Sequence, residues 1–178
     1  ETPNLDRLRE GGAHLSNAFV STSLCSPSRA SILTGLYAHT HEVVDNHAME
    51  PEGLTYFPQY LQKAGYQTGF VGKWHMGDKE DHPRKGFDHW VSFPGQGAYY
   101  GQTLNINGEH KDYPGSAYTT EVLTDQALSF LDQARGNENP FFLYLSHKSV
   151  HSDFQAAKQD QGLYHGKDFQ RPESYYIT

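Results

Sequence analysis

The sequence is poor in cysteine, in positive charge and in long apolar runs, and each shortage excludes a class of protein. A single cysteine among 178 residues excludes an internal disulfide framework and a cysteine-rich zinc site. The formal net charge is −7, so we do not expect nucleic acid to bind a basic surface. No apolar stretch approaches the roughly 20 residues that a membrane-spanning helix needs, and no secretory signal is visible at the start.

The lone cysteine lies in the most informative stretch, residues 23–35, which reads Ser-Leu-Cys-Ser-Pro-Ser-Arg-Ala-Ser-Ile-Leu-Thr-Gly. Pro27 suits the first turn of a helix, because its missing N–H is not needed there. Cys25 is therefore predicted at or just before a helix N-terminus, where free N–H groups and the helix dipole attract anions. Arg29 follows one turn later on the same face. The stretch predicts a site for a tetrahedral oxyanion such as sulfate or phosphate, whereas a lone cysteine is otherwise a small buried apolar residue.

The run Cys25–Arg29 also resembles the signature of the formylglycine-dependent sulfatases, whose core is Cys-x-Pro-Ser-Arg, and the match continues through Thr34 and Gly35. The resemblance implies that a formylglycine-generating or sulfatase-maturing enzyme acts on Cys25–Arg29. Its product is formylglycine, an aldehyde that is hydrated in the active enzyme. Protein tyrosine phosphatases also combine a cysteine and an arginine at an anion site, but their loop places more residues between the two than the three found here.

A second motif, residues 65–75, reads Gly-Tyr-Gln-Thr-Gly-Phe-Val-Gly-Lys-Trp-His. Taken alone, it predicts a strand that ends in a glycine turn and projects a lysine and a histidine, which are often ordinary surface residues. The sulfatase family carries a second signature of this form, Gly-Tyr-x-Thr followed by Gly-Lys-Trp-His. The resemblance implies that Lys73 contacts the substrate sulfate and the formylglycine, and that His75 hydrogen-bonds a formylglycine hydroxyl.

A third motif, residues 145–151, follows an apolar run and reads Leu-Ser-His-Lys-Ser-Val-His. Two histidines and a lysine suit an anion site, although they suit a solvated loop equally well. The sulfatase family has a histidine shortly after the corresponding strand, commonly preceded by proline. The resemblance assigns this histidine, which serves the substrate oxygen, to His151, with Val150 where proline is common; His147 is the second choice.

The sulfatase family binds calcium through two acidic residues at the end of its first strand, a later Asp-Asn pair and the formylglycine oxygen. The resemblance places the first pair before Glu1, and no later pair is found, so Cys25 is the only metal ligand identified. Because Ca²⁺ prefers about six to eight oxygen ligands, we expect the 178 residues alone to bind it poorly and to be inactive. We expect residues 1–178 to form a single, partial catalytic domain that lacks its first strand and its C-terminal part.

Alternating helix and strand signals predict an α/β domain with a mostly parallel sheet flanked by helices, and the resemblance implies an alkaline-phosphatase-like sandwich. Ligands of such sheets bind at the carboxyl ends of strands, and both His75 and His151 follow a predicted strand. The predicted elements are helices at 3–10 (capped by Thr2), 27–36, 55–64 and 119–134, strands at 13–20, 66–71 and 141–145, a hairpin turn at Asn107-Gly108, and loops at 38–54 and 77–98.

Segments 41–46, 99–108 and 118–125 resemble N-acetylglucosamine-6-sulfatases and mucin-desulfating sulfatases. The resemblance implies hydrolysis of sulfate esters, on 6-O-sulfated N-acetylglucosamine in glycans, by a periplasmic, extracellular or lysosomal enzyme. Two alternatives stay open: a phosphonate or phosphodiester hydrolase of the same superfamily, and an inactive fragment that only binds sulfated glycans. Residues 99–108 would also be explained by a hairpin that merely packs on the sheet.

Overall fold

The structure, a computed structural model, describes residues 2–77 and 79–176. The chain divides into two compact units, Glu1–Lys148 and Ser149–Thr178. In the described part of the second unit, the regular elements are two short 3-10 helices, Lys158–Asp160 and Glu173–Tyr176. No helix in the described ranges is long and apolar enough to cross a membrane.

The first unit contains both helices and strands, as the sequence predicts, but they do not alternate along the described chain: four helices precede four strands, and one more helix and one more strand follow. Its described elements are α1 (Pro3–Gly11), α2 (Cys25–Thr34), α3 (Ala38–His41), α4 (Phe57–Lys63), β1 (Gln67–Lys73), β2 (His89–Phe93), β3 (Thr103–Ile106), β4 (Glu109–Asp112), α5 (Thr119–Arg135) and β5 (Phe141–Ser146). The four longer helices confirm the predicted ones within about two residues. The Thr2 side chain does not cap α1; its carbonyl accepts the Asp6 N–H at 2.8 Å instead.

The five strands form one sheet in the order β4-β3-β2-β1-β5. Strand β1 lies between β2 and the edge strand β5 and pairs in parallel with both. Strand β3 pairs antiparallel with β2 and with β4, so the sheet is mixed and the α/β class is confirmed. Asn107 and Gly108 both have positive φ, 53° and 100°, which confirms the predicted Asn-Gly turn between β3 and β4.

Both faces of the sheet are covered by helices because β1 presents apolar side chains to both sides. Phe70 packs with Trp74 and Trp90 on one face, where Leu33 of α2 joins the cluster. Val71 lies on the opposite face in a second cluster with residues of β2, β3 and α5. These two cores fix the carboxyl ends of β1 and β5 beneath the start of α2.

The predicted strand 13–20 is absent. The whole segment is exposed, with Leu15 at 79% and Phe19 at 94% exposure, and no described strand runs beside it. A strand needs a neighbouring ladder for its backbone groups, and partial alternation of apolar residues does not supply one.

The predicted loops 38–54 and 77–98 each contain an element. The first includes α3, a helix of four residues. The second includes β2, which pairs with β1 and β3 and whose Trp90, Val91 and Phe93 are buried in the core clusters on the two faces of the sheet. The many Gly, Pro and charged residues around this short strand favour a loop, so the sequence pattern did not predict it.

Strand β5 is parallel, as predicted, but it is not buried. It lies at an edge of the described sheet, and Phe141 and Leu145 are 50% and 42% exposed. Apolar composition alone does not distinguish an edge strand from a central one.

His41 makes the stability of the fold depend on pH. It is fully buried, and its Nδ1 accepts the Val43 N–H at 3.1 Å, which places the ring proton on Nε2, 3.0 Å from Ser31 Oγ. Burial lowers the pKa of His41, so folding favours the neutral ring. The unfolded chain takes up the proton first as the pH falls below about 6.5. Stability is therefore complete above that pH and falls below it.

We expect the free energy of unfolding to decrease from pH 7.5 to pH 5, by up to about 1.4 kcal/mol per pH unit for each such histidine. Burial also lowers the pKa values of His89 and His147, which act in the same direction. Urea unfolding at several pH values measures the slope. His41→Gln should flatten it, whereas a change at the exposed His14, to Gln, should not. An unchanged slope in His41→Gln would contradict this role.

Candidate active site

Cys25 lies where the first residue of α2 meets the carboxyl end of β1. Helix α2 begins at Cys25, which confirms the predicted position at a helix N-terminus, and the thiol is partly buried. The Lys73 ammonium donates a hydrogen bond to Cys25 Sγ at 3.6 Å. The structure therefore brings together two side chains that are 48 residues apart in the sequence.

Arg29 joins the ends of the two parallel strands at this point. Its Nη1 donates to the carbonyl of Lys73, the last residue of β1, and to Oγ of Ser146, the last residue of β5, both at 2.6 Å. Burial lowers the pKa of Arg29, but an arginine pKa normally lies far enough above neutrality for the guanidinium to stay charged. Arg29 is thus a fixed cation as well as a support for the site.

Gly72 allows this close approach. It lies opposite Ser146 in the β1–β5 pairing and has a φ of +123°. A Cβ at this position would be 1.9 Å from the Ser146 carbonyl oxygen, which no real structure tolerates. Only glycine fits at position 72, and because it has no side chain, β1 and β5 can approach closely enough for Lys73 to lie beside the end of β5.

His75 is tied to the same corner through its backbone. Its carbonyl accepts a hydrogen bond from Ser26 Oγ at the start of α2. His75 is buried and has a φ of 61°, unusual for a residue other than glycine. The structure places His75 next to the first turn of α2, and the role of its imidazole stays a prediction.

Two residues that sequence reasoning did not identify hold the site in place. Gln96 Oε1 accepts a hydrogen bond from Lys73 Nζ, and Asn46 Oδ1 accepts the Ser26 N–H at 3.0 Å. Asn46 therefore satisfies one of the free N–H groups of α2. Gln96 lies between Gly95 and Gly97, both with positive φ, in the segment predicted only as a functional loop. A glutamine between two glycines is the one sequence feature that points to a tight turn presenting the Gln96 side chain.

The charge around the thiol is positive. Burial lowers the pKa of Lys73, the Cys25 thiol opposes this shift, and the charges of Arg29 and Lys148 add to it. Within residues 2–77 and 79–176, no ion pair joins a carboxylate to Arg29, Lys73 or Lys148. A buried group of cations without a carboxylate is suited to an anionic ligand.

The described residues do not fit a calcium site. No group of three or more His, Cys, Asp or Glu side chains in that part of the chain could hold a metal ion. The charged side chains that interact with Cys25 are those of Lys73 and Arg29, which repel a divalent cation. Cys25 remains the only metal ligand assigned to this sequence, on the resemblance alone.

An open cavity of about 480 Å³ lies beside Cys25 in the first unit. Side chains of α2 and β5 line it, and it meets the site at Cys25, Arg29 and Ser146. His147, the second choice for the third motif, is half-buried just after β5. His151 belongs to the second unit, where its Nδ1 lies 3.0 Å from Ser152 Oγ, and its assignment stays a prediction.

A family model described as Sulfatase matches residues 1–176. The chain is 34% identical over 179 residues to an N-acetylglucosamine-6-O-sulfatase from Bacteroides thetaiotaomicron, covering 99% of this chain and 31% of the relative. It is 35% identical over 190 residues to the Homo sapiens N-acetylglucosamine-6-sulfatase, covering 94% and 34%. A protein solved with its substrate D-glucosamine-2-N,6-O-disulfate superposes with a TM-score of 0.87 at 34% identity, over 97% of this chain and 34% of that one. The chain thus spans about a third of the length of these relatives.

Proposed function

The chain belongs to the sulfatase family, and on that premise we propose that it contributes the nucleophile and the sulfate-binding cations of a glycan sulfate-ester hydrolase. One observation carries the proposal: the Lys73 ammonium lies 3.6 Å from Cys25 Sγ at the first residue of a helix. A sulfate ester is already anionic, so a nucleophile reaches sulfur only where fixed positive charge offsets that repulsion. Preorganised charge of this kind is usually the largest single contribution to catalysis.

The proposed substrate is 6-O-sulfated N-acetylglucosamine in a glycan. Two relatives, 34% and 35% identical to the chain over the matched residues, are named N-acetylglucosamine-6-O-sulfatase and N-acetylglucosamine-6-sulfatase. A structural relative of similar identity was solved with a glucosamine that bears a 6-O-sulfate. The cavity beside Cys25 has room for one sugar ring.

In the proposed reaction, one hydroxyl of a hydrated formylglycine made from Cys25 attacks sulfur, and the bond between sulfur and the alcohol oxygen breaks. The second hydroxyl then loses its proton, the bond between the formylglycine carbon and the sulfate oxygen breaks, and sulfate leaves as the aldehyde re-forms. Lys73 reaches both this residue and a sulfate oxygen, because its ammonium already contacts the Cys25 side chain. Arg29 supplies a fixed positive charge and holds Lys73 through the backbone carbonyl. The thiol position fits a modified residue, since it is only partly buried.

Two histidines are proposed to move protons. His151 would protonate the leaving alcohol, and His75 would accept the hydrogen bond of a hydroxyl at residue 25. The proposal derives no step through calcium, because the described residues do not fit a calcium site. A maturing enzyme that acts on Cys25–Arg29 is the proposed protein partner, and the proposed location is periplasmic, extracellular or lysosomal.

The function is tested by comparing substrates with the full-length protein. We expect kcat/KM for N-acetylglucosamine-6-sulfate to exceed that for an iduronate 2-sulfate and for a generic aryl sulfate by about tenfold or more, because hydroxyl recognition in the sugar site favours it. An aryl phosphate tests the phosphoryl-transfer alternative in the same assay. Preference for either sulfated comparison substrate would remove the sugar assignment, and preference for the phosphate would remove the sulfatase assignment.

A further inference from the structure

Lys148 is a buried lysine of the third motif, whose sequence suits an anion site and a solvated loop equally well. Within the described residues, the lysines that are almost inaccessible are Lys73 and Lys148, at 2% and 5% exposure. A lysine ammonium is rarely buried without a partner, because removing the charge from water is unfavourable. Lys73 has its partners in Cys25 and Gln96, so Lys148 is the one that needs an explanation.

The two lysines lie at the carboxyl ends of two neighbouring parallel strands, β1 and β5. Gly72 of β1 pairs with Ser146 of β5, so Lys73 follows this pair by one residue and Lys148 by two. Arg29 binds both strand ends at 2.6 Å, which fixes their spacing. The charge of Lys148 therefore acts on Lys73, where it lowers the pKa of the Lys73 ammonium.

One loop holds both ammonium groups. Between β2 and β3, Gln96 accepts the hydrogen bond of Lys73, and three residues later the Tyr99 ring lies under Lys148, 4.7 Å from Nζ to the ring centre. Tyr99 is itself 4% exposed, so its ring is a fixed platform. A cation over an aromatic face is held there while its N–H groups stay available for an anion.

Like charges that act on one another, as those of Lys73, Arg29 and Lys148 do, destabilise the fold unless an anion offsets them. Arg29, Lys73 and Lys148 are not joined to a carboxylate by any ion pair among residues 2–77 and 79–176. A structural lysine would be expected to have an acidic partner at this depth. Among these residues the group is suited to an anionic ligand.

We propose that Lys148 is a third cation of the anion site and that its ammonium contacts the sulfate group of the substrate. The assignment rests on the proposed function for the identity of the anion. Tyr99 is then a positioning residue for Lys148, as Gln96 is for Lys73. The site recognises the anion with two ammonium groups held by one loop and a guanidinium held by two strand ends.

The test is a calorimetric titration of the full-length protein with inorganic sulfate, which needs neither turnover nor a modified Cys25. Lys148→Met keeps an unbranched side chain on Tyr99 and removes the charge. Lys63→Met is the matched control, because Lys63 also lies over a tyrosine, 5.6 Å from the Tyr60 ring centre, but is exposed at the end of α4. The melting temperature of each variant is measured alongside.

We expect Lys148→Met to weaken sulfate binding by about tenfold to a hundredfold, the usual range for a lost hydrogen bond to a charged group. Its melting temperature should stay the same or rise, because an uncompensated buried charge is gone. Lys63→Met should bind like the wild type. Sulfate affinity within about twofold of the wild type in Lys148→Met would overturn the proposal, and so would a loss of affinity that comes with a lower melting temperature.

The same titration separates this proposal from the proposed function. A protein that binds sulfate through Lys148 but hydrolyses no sulfate ester would contradict the function and leave Lys148 as an anion-binding residue. A protein that hydrolyses sulfate esters equally well with Lys148→Met, at unchanged KM, would keep the function and remove Lys148 from the site.

Discussion

Replacing Cys25 with alanine in the full-length protein is expected to lower kcat for sulfate-ester hydrolysis by about 10⁴-fold or more, the usual effect of removing a nucleophile. Lys73 and Arg29 would still attract the substrate, so KM should change little. Steady-state kinetics with a 6-sulfated sugar measure both values. Ser21→Ala, in the exposed segment before the motif, is the control and should leave both unchanged. Turnover by Cys25→Ala within tenfold of the wild type would contradict the assignment.

Cys25→Ser distinguishes a hydrated aldehyde from an ordinary nucleophile. Serine offers one hydroxyl, so it can accept the sulfuryl group once but has no second hydroxyl from which to expel sulfate. We expect this variant to stop after one turnover and to gain about 80 Da by mass spectrometry, as a stable covalent adduct would. Multiple turnover by Cys25→Ser would show that the second hydroxyl is not needed.

Gly72→Ala is expected to destabilise the protein by roughly 3–5 kcal/mol, because it combines a forbidden backbone conformation with a direct clash. The new methyl group would lie 1.9 Å from the Ser146 carbonyl oxygen, so β1 and β5 must separate. Their separation would also break the two hydrogen bonds of Arg29. Denaturant unfolding measures the loss of stability, and sulfate titration measures the loss of the site.

Gly53→Ala separates the two causes. Gly53 also has a positive φ, 88°, but a Cβ there would meet nothing within 4 Å. Its substitution should therefore lower stability by only about 1–2 kcal/mol, the backbone contribution alone. Equal losses in the two variants would mean that the close approach of β1 and β5 is not what requires glycine at position 72.

The parts of the site that lie within one short motif could be predicted from the sequence. Proline at position 27 and the spacing of Cys25 and Arg29 predict the start of α2, and the structure begins that helix at Cys25. The apolar run before the glycine turn likewise predicts a strand at 66–71, and the structure extends it by two residues to Lys73. In both places local backbone preference and tertiary packing favour the same conformation.

The parts that depend on contacts between distant segments could not be predicted. Gln96 and Asn46 act on residues 23 and 20 positions away, and neither residue type has a spacing that reveals its partner. Strand β2 forms because it pairs with β1 and β3 and because the core clusters on the two faces of the sheet bury its side chains, not because its sequence is strongly patterned. The third motif suits an anion site, but the burial of Lys148 and its contact with the Tyr99 ring are seen only in the structure.

The account depends most on the chemical state of residue 25 in the mature protein. Mass spectrometry of the tryptic peptide 10–29, from full-length protein made in its natural source, reads that state directly. Conversion of the thiol to an aldehyde is expected to lower the peptide mass by about 18 Da. Because the hydrated aldehyde has nearly the mass of the thiol, free thiols are alkylated first, so that only an unmodified Cys25 gains the mass of the alkyl group. An active protein whose peptide carries only the unmodified thiol would contradict the account.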